Sequence, residues 1–214
     1  MRAFSSWRAP GSLALFGAAW FGALSLAGFP SGGMVERIDL WLSAWLAAHR
    51  SPQGLALFGW ITDLGNAKVI VALALLLSLV LWGLRARLAA PLSIQITALW
   101  LVPIGASLTT YWLKIAFARP RPEAALRALT DFSFPSGHAT GAVAFFGFVA
   151  WLAVYNRWLS PALALGLGGT LVALIGFSRL YLGVHYLSDV ANGYLVGALW
   201  LLVGTWWVRR AGNG

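Results

Sequence analysis

The chain has 214 residues, 60% of them hydrophobic and only 10% charged, with 13 Trp, no Cys and a formal net charge of +9; its mean hydropathy is +0.77. A soluble domain carries about 25% charged residues, so this composition excludes a water-soluble globule and implies an integral membrane protein. The absence of cysteine excludes disulfide scaffolds, thiolate zinc sites, iron–sulfur clusters and cysteine nucleophiles, and no basic run is long enough to follow a nucleic-acid backbone, so no nucleic-acid partner is expected.

A spanning helix needs about 20 mostly apolar residues, with a range of about 17–25, and uncharged stretches bounded by charges predict six of them. Gly11 to Phe29 is the first, closed by a Phe-Pro-Ser-Gly-Gly turn. Met1 to Gly32 also has the arginine-bearing start of a signal peptide, but its apolar stretch exceeds the about 7–15 residues of a signal core, which favours an uncleaved helix. In Met34 to Arg50, Ile38, Trp41, Leu42, Trp45 and Leu46 recur at helical spacing while Glu36, Arg37, Asp39 and Ser43 interrupt. This pattern predicts an amphipathic helix at the interface with its tryptophans at headgroup depth; a plain extracytoplasmic loop is the alternative. Leu64 to Leu84 is the second span, with Lys68 placed to snorkel. Leu88 to Leu113 is the third, Ala139 to Tyr155 the fourth, Trp158 to Ser178 the fifth, and Val190 to Val208, just before Arg209 and Arg210, the sixth. The expected fold is all-α: a single membrane-embedded domain over residues 1–214, six transmembrane helices and an interfacial amphipathic helix between the first two.

Lysine and arginine bias in short loops sets orientation. With the N-terminus cytoplasmic, that side holds Arg2, Arg8, Arg85, Arg87, Arg157, Arg209 and Arg210 and no acid. The other side holds Glu36, Asp39, Asp63, Glu123, Asp131 and Asp189 with the remaining basic residues. Both termini are therefore expected in the cytoplasm, and the protein in the cytoplasmic (inner) membrane.

The basic residues on the far side need a second explanation. Lys114, Arg119, Arg121 and Arg127 follow the third span, Arg179 closes the fifth, and His138 and His185 lie at matching depth. Ionisable residues that gather at helix ends mark a functional site. Lys114, Arg121 and Arg179 would repel one another in a low-dielectric site without an anion, and an arginine fork with a lysine suits phosphate. Ser136 and Gly137 open the fourth helix, where free N–H groups and the helix dipole favour the same anion. His185 and Asp189 are four apart, so a carboxylate can fix one imidazole tautomer and leave the other nitrogen as nucleophile or base. His138, on another helix, can protonate a leaving alkoxide.

Each motif also has a plain reading. Lys114 and Arg121 suit interfacial anchors, Pro135-Ser136-Gly137 a turn and N-cap, and His185 with Asp189 a structural pair. Those readings do not account for one shared depth. His138, His185 and Asp189 are also three ligands for a catalytic zinc, although the HExxH spacing is absent. Arg119 and Arg127 have no assigned role and read as loop or headgroup charges. Arg119-Pro120 before Arg121-Pro122 leaves the register of that motif open.

At these residues the sequence resembles the type 2 phosphatidic acid phosphatase (PAP2) superfamily. The family signature of Lys, six residues and Arg-Pro, then Pro-Ser-Gly-His, then Ser-Arg, five residues, His, three residues and Asp is matched by Lys114 to Arg121-Pro122, Pro135 to His138, and Ser178-Arg179 to His185 and Asp189. The resemblance selects Arg121 over Arg119. It implies a six-helix membrane enzyme that needs no metal or cofactor. His185 would form a phosphohistidine, Asp189 orient it and His138 protonate the leaving group, while Lys114, Arg121, Ser136, Gly137 and Arg179 hold the phosphoryl oxygens. The implied substrates are lipid phosphates at the outer leaflet, among them undecaprenyl pyrophosphate, phosphatidylglycerol phosphate and phosphatidic acid, in contact with membrane lipids. The alternatives are a lipid-to-lipid phosphotransferase of the same family and an anion or lipid transporter.

Overall fold

The computed structural model describes residues 17, 22, 33–123, 125–126 and 130–212, and these hold helices and no strand. Arg127 and all but two residues of the expected first span, with the signal-peptide question attached to it, lie outside that set. Seven helices follow: α1 Met34–Ala48, α2 Pro52–Asp63, α3 Ala67–Gly83, α4 Leu92–Phe117, α5 Gly137–Tyr155, α6 Pro161–Tyr181 and α7 Leu187–Gly212. Four of them, α4 to α7, are long and apolar enough to cross a membrane, and α2 with α3 makes a fifth candidate broken by a 49° bend.

The differences from expectation have local causes. Residues 52–63 form α2 where only a connection to the second span was expected. Ser51 caps it, its Oγ accepting from Gly54 N at 3.0 Å, and Pro52 occupies the first turn, where its missing N–H costs nothing. Asn66 then caps α3 by accepting from Lys68 N at 3.0 Å, so the helix of the second span starts at Ala67, inside the expected Leu64 to Leu84. The third span is shifted toward the C-terminus. Pro91 delays its start, and Lys114 does not end it, because a cation is favourable in a last helical turn. The helix stops when Ala118 adopts a left-handed conformation with φ 44°.

α1 presents two faces, not the single apolar stripe expected. Leu42 and Leu46 turn inward and pack against Leu180, Tyr181 and Val190, and Asp39, on the same inner face, is 1% exposed. Ile38, Trp41 and Trp45 point outward. The main core lies between α3, α4, α5 and α7 around Leu81, Leu99, Val102, Phe145, Phe148 and Val208. Helices in lipid associate through close packing of small residues, and α7 uses this against α5. A Cβ on Gly193 would stand 2.6 Å from Ser136 O, and one on Gly197 2.6 Å from Thr140 O. The outcome that matters for function is parity: α4 and α6 end, and α5 and α7 begin, at the same end of the bundle.

Candidate active site

Lys114 sits in the last turn of α4. Its Nζ lies 2.9 Å from Asp131 Oδ2 and also donates to the Phe132 carbonyl. Arg121 reaches the same segment: Nη2 bonds Asp131 Oδ1 at 2.7 Å, and Nε bonds the Asp131 carbonyl at 3.0 Å. Its Nη1 donates to Val184 O at 2.6 Å and lies 3.3 Å from His185 Nε2. The cationic cluster is thus neutralised in part by the chain's own carboxylate, where the charges alone implied an unmet repulsion. Burial would raise the Asp131 carboxyl, but Lys114 and Arg121 outweigh it and hold the group down at about 2. Arg179, 6% exposed near the end of α6, donates from Nη1 to Thr62 Oγ1 at 2.7 Å, so α2 helps to aim it.

The start of α5 follows from the Pro-Ser-Gly-His run. Ser136 occupies the N-cap position in an extended conformation, and its backbone N–H donates to Asp189 O at 3.0 Å. Its side chain does not cap the helix: Ser136 Oγ is buried and has no hydrogen-bond partner among the described residues. Thr110, one turn before Lys114, likewise buries an Oγ1 with no partner among them. A Cβ on Gly137 would meet only Thr110 Cγ2, at 3.9 Å, so packing does not require glycine there. Gly137 lines a cavity.

His185 lies in the tight connection between α6 and α7 and is 3% exposed. It precedes the helix, so the pair with Asp189 does not arise from helical spacing as expected. Asp189 folds back over the first turn of α7, accepting from Tyr186 N at 2.8 Å and from Ser133 Oγ at 2.5 Å on Oδ2. That oxygen lies 3.5 Å from His185 Nδ1, and Ser133 Oγ is 3.4 Å from the same nitrogen. Burial is the main influence on the imidazole and, with Arg179 and Arg121 against the opposing pull of Asp189, lowers it to about 4. At neutral pH the ring is neutral. With the proton on Nδ1 toward Asp189, a tautomer assigned from these contacts, Nε2 carries the lone pair, toward which Arg121 Nη1 points at 3.3 Å.

Arg119 departs most from its sequence reading. Its side chain is 10% exposed and joins Asp189 Oδ1 at 2.6 Å to Asp39 Oδ2 at 2.9 Å. It also donates to Ser188 Oγ at 2.7 Å and stacks on the Tyr186 ring at 4.3 Å. It is no headgroup charge. Asp39, Ser133, Tyr186 and Ser188 were also missed. Only Asp39 left a trace in the sequence, because it stands three and seven residues before Leu42 and Leu46 and so shares the protein-facing stripe of α1.

The structure brings Lys114, Arg121, Ser136, Gly137, His138, Arg179, His185 and Asp189 to one end of the bundle. His138 is half-buried and borders two cavities. One, of about 440 Å³, runs from Lys114, Gly137 and His138 down between α3, α4 and α5 past Ile70, Ala74, Trp100 and Pro103. The other, of about 180 Å³, is lined by Thr62, Asp63, Asn66, Leu126, His138, Arg179, Leu182 and Val184. Among the described residues no three His, Asp or Glu side chains are placed to hold a metal ion, so His138, His185 and Asp189 do not form the zinc set considered above.

The family model described as the PAP2 superfamily matches residues 95–213. Phosphatidylglycerophosphatase B of Bacillus subtilis is 37% identical over 91 residues, 41% of this chain and 45% of that protein. An undecaprenyl-diphosphatase of Sulfolobus acidocaldarius is 38% identical over 69 residues, 32% of this chain and 30% of that protein. The matched regions therefore span less than half the length of these two curated relatives. Among solved structures, the transmembrane PAP2 type phosphatidylglycerolphosphate phosphatase from Bacillus subtilis superposes with a TM-score of 0.83 at 27% identity, covering 94% of this chain and 96% of that one.

Proposed function

The chain belongs to the PAP2 superfamily, and from that premise we propose that it is a membrane lipid phosphatase that cleaves phosphomonoester or pyrophosphate bonds through a phosphohistidine. One observation carries the reading: the 440 Å³ cavity begins at Lys114, Gly137 and His138, at the cationic end of the bundle, and is otherwise lined largely by apolar residues. A substrate that fills both has an anionic phosphate head and a hydrocarbon tail.

In this reaction the phosphoryl oxygens displace Asp131 from Lys114 and Arg121. They also take hydrogen bonds from Ser136 Oγ, Gly137 N–H and Arg179. These donors stand where negative charge builds up in the transition state, in a site that water barely reaches. His185 Nε2 attacks phosphorus, the N–P bond forms and the bond to the leaving oxygen breaks. His138 gives that oxygen its proton. Asp189 holds the Nδ1 proton and stabilises the charge that the imidazole acquires. A water then attacks phosphorus, giving its proton to His138; the N–P bond breaks and phosphate departs. The fixed cations supply the charge stabilisation that a metal supplies elsewhere, so the reaction proceeds without one.

Arg85, Arg87, Arg157, Arg209 and Arg210 all lie at the end opposite the site, and by the positive-inside rule this supports a cytoplasmic side at that end and a site at the outer leaflet. Phosphatidylglycerol phosphate, undecaprenyl pyrophosphate and phosphatidic acid are the substrate candidates. The test is phosphate release from each by the purified protein, with and without EDTA, followed by denaturing alkaline quenching during turnover. Release unaffected by EDTA and an acid-labile, base-stable phosphoprotein are expected. Activity that EDTA abolishes and zinc restores would overturn the mechanism.

A further inference from the structure

Arg119 has no part in the reaction as written, yet it is bonded to the carboxylate on which that reaction depends. Asp189 Oδ2 is shared between Ser133, Tyr186 N–H and the neighbourhood of His185 Nδ1. Among the described residues Oδ1 takes its hydrogen bond from Arg119 alone, at 2.6 Å. The other arm of the same guanidinium goes to Asp39 on α1, and Asp39 is held in turn by Ser188 N at 2.9 Å and Ser188 Oγ at 2.5 Å. Arg119 borders neither cavity. Both of its arms are occupied by carboxylates, so it is placed to hold Asp189 and not to meet a phosphate.

A carboxylate inside a protein keeps its rotation only while both oxygens are bound. If Arg119 is lost, Oδ1 is left without a donor in a buried site, and the group turns to find one, moving Oδ2 away from His185. Asp39 acts one step further out. A guanidinium with a single carboxylate partner would settle wholly on Asp189, whereas Asp39 fixes the plane of the fork and takes part of its charge. α1 supplies that residue from the face opposite Ile38, Trp41 and Trp45, which point away from the protein.

We propose that Arg119 and Asp39 are positioning residues for the Asp189–His185 pair, so that the outer helix α1 belongs to the catalytic apparatus through one arginine. The inference rests on the reading that His185 is the nucleophile and Asp189 its orienter.

The experiment uses the full chain in mixed micelles of detergent and dioleoyl phosphatidic acid, and measures kcat, KM and melting temperature for Arg119→Gln, Arg119→Lys, Asp39→Asn and the double variant Asp39→Asn/Arg119→Gln. A small displacement of a reacting group costs about 100-fold in rate, so Arg119→Gln is expected to lower kcat by about that factor, with KM changed less than about twofold. Arg119→Lys, which retains charge but bonds only one carboxylate at a time, recovers part of kcat. Asp39→Asn loses less, and the double variant is no slower than Arg119→Gln, because the two residues act in series. A merely structural role would lower the melting temperature and the folded yield while leaving kcat per folded molecule unchanged. If Arg119→Gln does not fold, a smaller kcat loss with KM unchanged in Arg119→Lys and Asp39→Asn supports the proposal, and wild-type kcat in both overturns it. A raised KM with kcat intact would make Arg119 a substrate ligand and also overturn it. A His185→Ala protein that still releases phosphate removes the underlying mechanism, whereas an inactive His185→Ala beside a fully active Arg119→Gln removes only the positioning role.

Discussion

The two ends of α4 each bury a polar network, and the two are built on opposite terms. Near its start, Gln95 and Asn156 form a neutral set: Asn156 Nδ2 donates to Gln95 Oε1 at 2.8 Å and to Leu152 O at 3.0 Å, Gln95 Nε2 donates to Ala90 O at 2.9 Å, and Ala89 N donates to Asn156 Oδ1 at 2.8 Å. Every side-chain polar atom in it has a partner, and it ties the turn before α4 to the end of α5. At the other end of α4, Lys114, Arg119, Arg121 and Arg179 face Asp39, Asp131 and Asp189, and the hydroxyls of Ser136 and Thr110 are buried with no partner among the described residues. A buried polar group left unpaired costs about 1–3 kcal/mol. A closed network spends its hydrogen bonds on the fold; an open, charged one keeps them for something that binds.

The sharpest test of that contrast is His185→Ala, which at the open end removes the proposed attacking nitrogen. Phosphate release is expected to fall by at least about 10⁴-fold, as for other nucleophile deletions, with the helical signal and melting temperature close to wild type. His138→Asn removes the proposed general acid and is expected to cost about 10²–10⁴-fold in kcat/KM on a lipid alkyl ester. The loss should shrink on 4-nitrophenyl phosphate, whose leaving group departs without a proton. Equal losses on both substrates would deny His138 that role.

Acid provides a graded test. Burial first, then Arg179 and Arg121, lower the His185 imidazole to about 4 against the pull of Asp189. The neutral ring is the proposed nucleophile, so the acid limb that it sets in kcat/KM should lie near pH 4, with a drop of about tenfold per unit below it, as expected for loss of one essential base. Asp131, at about 2, stays ionised over that range and does not shape the limb. A limb near pH 6.5 would mean that the site does not desolvate the ring as its burial implies.

A smaller effect is expected from Asp131→Asn. It leaves Lys114 and Arg121 without their competing carboxylate, so KM should fall by about three- to tenfold with kcat little changed, as for a change in ground-state binding alone. Smallest in catalysis is Gln95→Leu in the closed network. It should leave kcat within about twofold while lowering the melting temperature, because Asn156 is left with an unmet bond worth about 1–3 kcal/mol. Loss of activity in Gln95→Leu without loss of stability would break the division between the two ends.

Much of the open end was legible along the chain. Scarcity of charge made Lys114, Arg121, Arg179 and the two histidines conspicuous, and the parity of the spans placed them at one end. Span limits were less legible. The second span was started at Leu64 although Asn66 carries helix-start chemistry, the helix that Ser51 and Pro52 open before it was not read at all, and the third was ended at a lysine that a helix C-terminus accommodates. Asp39 and Arg119 were misread because a charge near an interface looks alike whether it faces water or a partner. Their contacts join residues 80 and 70 positions apart, and no local pattern encodes such a pairing.

Composition and spacing by themselves determined that the chain lives in a membrane and which residue types meet at one end, since both follow from short-range rules of hydropathy and helical rise. The family spacing selected Arg121, but only the tertiary structure decided what each of the two arginines, separated by a single proline, bonds to. Arg121 turns to His185 and to the loop that holds Asp131, and Arg119 turns to the carboxylates of α7 and α1. The reason is that a guanidinium fork bonds only where two acceptors stand at the right distance and angle, and packing of distant helices alone sets those positions.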